Sequence, residues 1–303
     1  MHALARNLIT RDPPMPGVAV GILKDAAERG DAESSHLCAV IAAQDAQLPD
    51  KWTVALDYLQ RAAEQGSEAS RLQLKLLAHA GDAPLSQRNT WRRLRQRIDV
   101  TRWLQPLAGR VVFETPRIVC VDNFAPVEIC DWLSGVGQPR LQTAEVYDPI
   151  TGERLYNAAI RNHSTVSFDV TQYDAIMLVM RARAAALAGV PVDDLEPAML
   201  LNYRPGQHLM PHFDYLDPVR LKEHIAQHGQ RVGTFLLYLS DDFKGGETDF
   251  PELGWRYKGR KGNALLFWSA DANGALQRST IHAGLPLSSG EKWVFSQWIR
   301  RKS

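Results

Sequence analysis

Ala- and Leu-rich stretches with helical spacing fill roughly the first hundred residues, and from about Val111 short apolar runs punctuated by turn residues replace them. The best-marked helical segment occurs twice. Leu23-Lys24-Asp25-Ala26-Ala27-Glu28-Arg29-Gly30 returns 36 residues later as Leu59-Gln60-Arg61-Ala62-Ala63-Glu64-Gln65-Gly66. Each copy runs into a further Ala/Leu-rich stretch, Ser34 to Ala43 and Ala69 to Ala78. That pattern predicts a helix, a Gly-marked turn and a second helix packing back on the first. Arg88 to Arg102, with Trp91 and Leu94 among its arginines, predicts one more helix, and a boundary falls near residues 104 to 115. Beyond it, helices are expected around Pro126 to Leu133 and Tyr173 to Ala188. Strands are expected near Arg117 to Val121 and over Ala198 to Tyr203, Val232 to Ser240, Ala264 to Trp268 and Trp293 to Ile299. Helices first and then many short strands read as an α+β chain with a β-sandwich or barrel core.

The duplicated segment resembles Sel1-like repeats of the tetratricopeptide class. A free-standing stack needs about three copies, so two are expected to pack on the rest of the chain, either docking a protein partner or capping the core. The expected division is a helical repeat region over residues 1–104 and a second domain over 105–303. Length, at 303 residues, allows one large or two moderate domains, and 45% hydrophobic with 23% charged residues is ordinary for a globular chain. The formal charge of +1 gives no overall attraction to nucleic acid or membrane. The arginines between Arg88 and Arg102 read as a solvated helix face, so nucleic acid is not an expected partner. Cys38, Cys120 and Cys130 form no CxxC pair, which argues against a zinc finger or disulfide scaffold and for a reducing compartment. With no signal-peptide pattern and no run of about 18 apolar residues, a cytoplasmic location away from membranes is expected.

Candidate chemistry concentrates in the second part. His212-Phe213-Asp214 is a His-x-Asp step, and residues two apart in a strand share a face, so imidazole and carboxylate can converge on one ion. His282, beside another expected strand, supplies a third ligand. Two histidines and a carboxylate on one face of an octahedron leave positions open, as non-haem iron(II) requires. Ten residues later Lys292 offers a cation that can pair with the far carboxylate of a dicarboxylic acid. Such an acid would bind the metal through its 2-oxo-acid end.

At this point the stretch from Pro116 to Arg300 resembles the catalytic domain of the prolyl 4-hydroxylase group of 2-oxoglutarate oxygenases. The resemblance rests on five motifs in order. They are Asn202-Tyr203 with Pro205-Gly206-Gln207 before the His-x-Asp, then Thr234 to Asp241, Gly245 to Pro251, His282 to Pro286, and Gly290-Glu291-Lys292-Trp293 through Trp298. The resemblance implies a double-stranded β-helix, a jelly-roll core with flanking helices. It also implies iron(II) on His212, Asp214 and His282, 2-oxoglutarate and O2 as cosubstrates, and ascorbate as a candidate reductant. Lys292 would pair with the distal carboxylate of 2-oxoglutarate, Tyr203 and Thr234 would hydrogen-bond the cosubstrate, and Trp298, rather than Trp293, would face the pocket. Arg161, Glu196 and Arg231 match substrate-side positions. His163 and His208 read as loop or surface histidines, and His224 and His228 as part of a solvent-exposed loop helix.

The implied reaction is oxidative decarboxylation of 2-oxoglutarate coupled to hydroxylation of a C–H bond; Asp214 favours hydroxylation over halogenation. A protein or peptide is the leading substrate class. Leu209 stands where peptidyl-proline hydroxylases commonly have tyrosine, which keeps a free amino acid or other small molecule open. A zinc hydrolase on the same ligands would leave Lys292 and Tyr203 without work. A non-catalytic interaction protein with a vestigial oxygenase fold would have no use for the intact ligand set.

Overall fold

The Ala- and Leu-rich stretches form helices, His2–Thr10, Pro16–Glu28, Ala32–Gln44, Lys51–Glu64 and Glu68–Leu77, in a computed structural model that describes residues 2–10, 15–79, 90–147, 154–155, 157 and 159–302. Helices Pro16–Glu28 and Lys51–Glu64 both run out at a glycine with positive φ, Gly30 at 95° and Gly66 at 108°, a backbone that side chains with a Cβ rarely adopt. The next residue then caps the following helix. Asp31 accepts from the Glu33 amide at 3.1 Å, and the Ser67 hydroxyl accepts from the Ser70 amide at 3.3 Å. Gln65 ties the first pair to the second, accepting from the Ser35 hydroxyl at 2.6 Å and donating to the Ala27 carbonyl at 2.8 Å. The interface beneath is apolar, with Leu23, Ala27, Leu56, Leu59 and Ala62 all buried.

The Arg-rich stretch is two short helices, Thr90–Arg97 and Val100–Leu104, and Arg88 lies outside the described residues. Asp99 causes the break by accepting the Arg102 amide at 3.2 Å as the cap of the second helix. Leu94 and Trp103 are buried, and Arg95 pairs with Asp57 at 2.9 Å. By chain contacts Met1–Gln105 and Phe168–Arg183 form one unit, and Pro106–Ser167 and Ala184–Ser303 form another. The distant segment joins the first unit through Gln73, whose side-chain carbonyl accepts the Ala175 amide at 2.9 Å. No helix among the described residues is long and apolar enough to cross a membrane.

The second unit is built on antiparallel strands. Eight make one sheet in the order Arg110–Glu114, Arg117–Val121, Ala264–Trp268, Gln230–Tyr238, Lys292–Arg301, Met199–Tyr203, Ser164–Ser167 and Gln142–Thr143. Four make another, Trp255–Tyr257, Thr248–Phe250, His282–Gly284 and Leu209–His212. The chain alternates between the two, the connectivity of a jelly roll. Side chains from both pack into one core around Phe250, Phe267, Leu265 and Tyr238, with Phe250 edge-on to Phe267 at 5.2 Å. Strand alternation sorts the large sheet. Thr234 and Leu236, Lys292 and Val294, and Leu201 and Tyr203 face an internal cavity. Their neighbours Phe235, Trp293 and Leu200 are buried on the opposite side, where the helix Val127–Gly137 packs.

Phe250→Ala removes a fully buried ring from the junction of the two sheets. A loss of about 3 to 5 kcal/mol in urea unfolding is expected. A loss under about 1 kcal/mol would mean that the two sheets do not share this core.

Candidate active site

His212 closes the strand Leu209–His212, and His282 opens His282–Gly284; the two are cross-strand partners with ring centroids 4.3 Å apart. His212 Nδ1 lies 2.9 Å from the Met210 carbonyl, and His282 Nδ1 lies 3.0 Å from the Thr280 carbonyl. A carbonyl only accepts, so each Nδ1 carries the proton and each Nε2 keeps its lone pair. Both lone pairs meet one carboxylate. Asp214 is 3.5 Å from His212 Nε2 and 3.4 Å from His282 Nε2, and all three ligand atoms lie within 4.8 Å of one another. Among the described residues this is the sole His, Cys, Asp and Glu group with such convergence. The strand stops at His212 and Asp214 sits in the bend that follows, so chain reversal rather than strand alternation joins them.

Burial alone would raise the Asp214 pKa, but both imidazoles and the Thr234 hydroxyl outweigh it and hold the carboxyl far below its usual range. Burial pulls His282 down to about 4, with His212 pushing the same way. On His212 burial is overcome by the hydrogen bond and charge of Asp214, and the net shift is upward. Two imidazoles and one carboxylate, with each ring oriented by a backbone carbonyl, fit a divalent transition metal such as iron(II). Thr234 was expected to touch a cosubstrate; here its hydroxyl donates to Asp214 Oδ2 at 2.6 Å.

The cavity, about 200 Å³ in all, is lined elsewhere by three cations, several rings and a set of aliphatic side chains that includes Leu201, Leu236 and Val294. Lys292 pairs across strands with Tyr203 and is only 3% exposed. Its ammonium donates to the Gly246 carbonyl at 2.7 Å and lies 5.1 Å from the centre of the Tyr203 ring. Burial pulls its pKa down to about 8, offset only in part by Glu247. Gly246 has φ of 70°, and a Cβ there would come within 2.2 Å of Leu287, so the carbonyl that meets Lys292 needs a glycine. Beyond Tyr203 lies His163, stacked on it at 4.4 Å. The sequence suggested a surface histidine, but His163 is 1% exposed and lines the cavity. Its spacing of two from Arg161 was the available signal, because both line the same wall.

At another part of the wall Arg231 lies over the Trp298 ring at 3.5 Å, while Trp293 is turned away and buried. Glu196, expected to meet substrate, does not line this cavity. Its carboxylate instead takes two hydrogen bonds from Arg231, at 2.6 and 2.9 Å, and one from Arg300 at 2.7 Å. Glu196 therefore fixes Arg231. His208 is half-buried, with its amide bonded to Asn162 Oδ1 at 2.8 Å. His224 and His228 sit on the helix Lys222–His228, rings 4.7 Å apart, and among the described residues they belong to no group of three convergent ligands.

Residues 198–300 match the profile of the 2OG-Fe(II) oxygenase superfamily, a span that holds His212, Asp214, His282 and Lys292. Over 229 residues the chain is 33% identical to prolyl 4-hydroxylase 1 of Arabidopsis thaliana, covering 68% of this chain and 80% of that relative. It is 30% identical over 202 residues to prolyl 4-hydroxylase subunit alpha-1 of Rattus norvegicus, covering 66% of this chain and 37% of the relative. The solved structure of the viral collagen prolyl hydroxylase of Paramecium Bursaria Chlorella virus-1 with 2OG aligns with 60% of this chain and 95% of its own, with TM-score 0.48 and 27% identity.

A buried ammonium without a carboxylate bonded to it carries a cost. With its folded pKa near 8 against about 10.4 unfolded, Lys292 binds fewer protons folded than unfolded in that window, so stability rises with pH there. The metal-free protein should gain stability from pH 8 to 10 relative to Lys292→Met, which should be as stable as wild type or more so at pH 7. Parallel urea-stability curves for the two proteins across this range would sink that account.

Proposed function

Because the chain belongs to the prolyl 4-hydroxylase family of 2-oxoglutarate- and iron(II)-dependent oxygenases, we propose that His212, Asp214 and His282 hold the iron and that Lys292 and Tyr203 receive the distal carboxylate of 2-oxoglutarate. The chain is a dioxygenase of the prolyl 4-hydroxylase type that uses iron(II), 2-oxoglutarate and O2. One observation carries the residue assignment: three convergent ligands and a buried lysine line the same cavity. When bound, the iron couples decarboxylation of the 2-oxo acid to hydroxylation of a C–H bond.

Chain residues prepare that chemistry. Met210 and Thr280 carbonyls hold the two imidazoles with Nε2 free, and Thr234 holds Asp214 in its ionised form. Lys292 and the Tyr203 hydroxyl fix the cosubstrate's far end. Arg161 and Arg231 with Trp298 face the substrate, and Glu196 acts through Arg231. The prolyl hydroxylase names of the relatives support a proline residue of a protein or peptide as substrate. Residues 1–104 then read as a Sel1-like region that docks that substrate, and residues 105–303 as the catalytic domain; the free cysteines support a cytoplasmic setting.

Anaerobic addition of iron(II) and 2-oxoglutarate should give a weak visible absorption band in the wild type and none in His212→Ala. Failure of the folded, iron-loaded wild type to show it would falsify the iron assignment. Proline-containing peptides should stimulate succinate release more than free amino acids do, with the added oxygen located by mass spectrometry. Lys292→Met should raise KM for 2-oxoglutarate about 100-fold, the worth of a charge-assisted hydrogen bond. The ammonium is charged below its pKa and neutral above it. Wild-type kcat/KM for 2-oxoglutarate should therefore fall as pH rises past about 8. A profile flat to pH 10 would mean that the ammonium keeps its charge throughout and that burial does not lower its pKa, whereas an unchanged KM in Lys292→Met rules it out as the carboxylate partner.

A further inference from the structure

The cavity wall holds Arg161, Arg231 and Lys292 against one lining carboxylate, Asp214, and the three cations are not equivalent. Arg231 is matched by Glu196 at 2.6 Å. In the proposed function a divalent iron, Asp214, Lys292 and the 2-oxoglutarate dianion balance one another. Arg161 is left over. Among the described residues its side chain makes no hydrogen bond or ion pair, its Nε is buried without a partner, and burial lowers its pKa with only the Tyr203 phenol opposing.

Two residues on, His163 lines the same cavity, and among the described residues neither of its ring nitrogens has a hydrogen-bond partner. Stacking on Tyr203 at 4.4 Å fixes its plane. Burial and the Arg161 charge push its pKa down to about 3, so the ring is neutral and keeps one N–H to donate. Buried polar groups are nearly always satisfied, and a buried unmatched charge is costlier still. A peptide carbonyl would occupy the donors and leave the guanidinium without a counter-charge; a carboxylate meets both needs.

We propose that Arg161 and His163 form an oxyanion subsite for a carboxylate of the hydroxylated substrate, so that the enzyme prefers a residue with a free carboxyl group, as at a chain terminus, over the same residue inside a chain. This rests on the oxygenase reading of the site. Lys292, which meets the same Tyr203 ring as His163, is separately committed to the cosubstrate.

The test uses the full chain loaded anaerobically with iron(II) and 2-oxoglutarate. The probes are N-acetylproline and N-acetylglycine, each against its amide, and the readout is perturbation of the visible band. That band must form before any probe is added, and its absence is a failure of the oxygenase reading alone. With the band present, at least one acid should bind about tenfold or more tightly than its amide at pH 7. Arg161→Gln should abolish the preference, Arg161→Lys should retain part of it, and His163→Phe, which keeps the stacking, should weaken it. Equal binding of acid and amide, binding of neither pair, or a preference that survives in folded Arg161→Gln overturns the proposal.

Discussion

Two backbone carbonyls, those of Met210 and Thr280, decide what the centre of this protein can do. By taking the Nδ1 protons of His212 and His282 they force both Nε2 lone pairs toward Asp214, at 3.5 and 3.4 Å. Asp214 keeps its charge between the two rings, so two nitrogen donors and one carboxylate are already aimed at a single point. The fold tolerates the arrangement because the rings are fixed by neighbours that cannot yield: the cross-strand pairing of the two histidines and the packing of Phe267 against His282 at 4.8 Å. Ligands oriented in advance bind a divalent ion more strongly, since little freedom is lost on binding.

Charge elsewhere in the cavity follows the same logic. Lys292 is buried among Tyr203, Tyr238 and the Gly246 carbonyl, where its charge is worth most to an incoming anion and costs most without one. Arg231, by contrast, is neutralised by Glu196 and braced on Trp298, which leaves it ordered before any substrate arrives. The two cations are therefore tuned in opposite ways, one by isolation and one by clamping.

Much of this was legible in the sequence because strand alternation is a strict rule. Lys292, Val294 and Trp298 face the cavity, and Trp293, one position out of step, does not. The expected strands all appear, with ends moved by a residue or two where ladder pairing continues past the apolar run, as in Lys292–Arg301. What escaped depends on contacts between distant segments. No local pattern says that Glu196 will meet Arg231 and Arg300, that Thr234 will turn its hydroxyl to Asp214, or that His163 will be walled in by Tyr203. The same holds for Phe168–Arg183, which packs with Met1–Gln105 although some sixty residues of chain separate them. Helical periodicity identifies the Ala175–Ala188 helix but not that its residues through Arg183 group with the first unit.

The back of the large sheet is as constrained as its front. Trp293 follows Lys292 on the opposite face, and a Cβ placed on Gly137 would stand 3.0 Å from that indole and 2.5 Å from Leu200. The helix Val127–Gly137 can approach the sheet this closely only because its last residue lacks a side chain. Leu200 and Trp293 alternate with Leu201, Tyr203 and Lys292, so helix packing on one face sets the height of cavity groups on the other. Close packing transmits displacement with little slack. The position of the buried ammonium is thus fixed by a glycine on a helix that never touches the cavity.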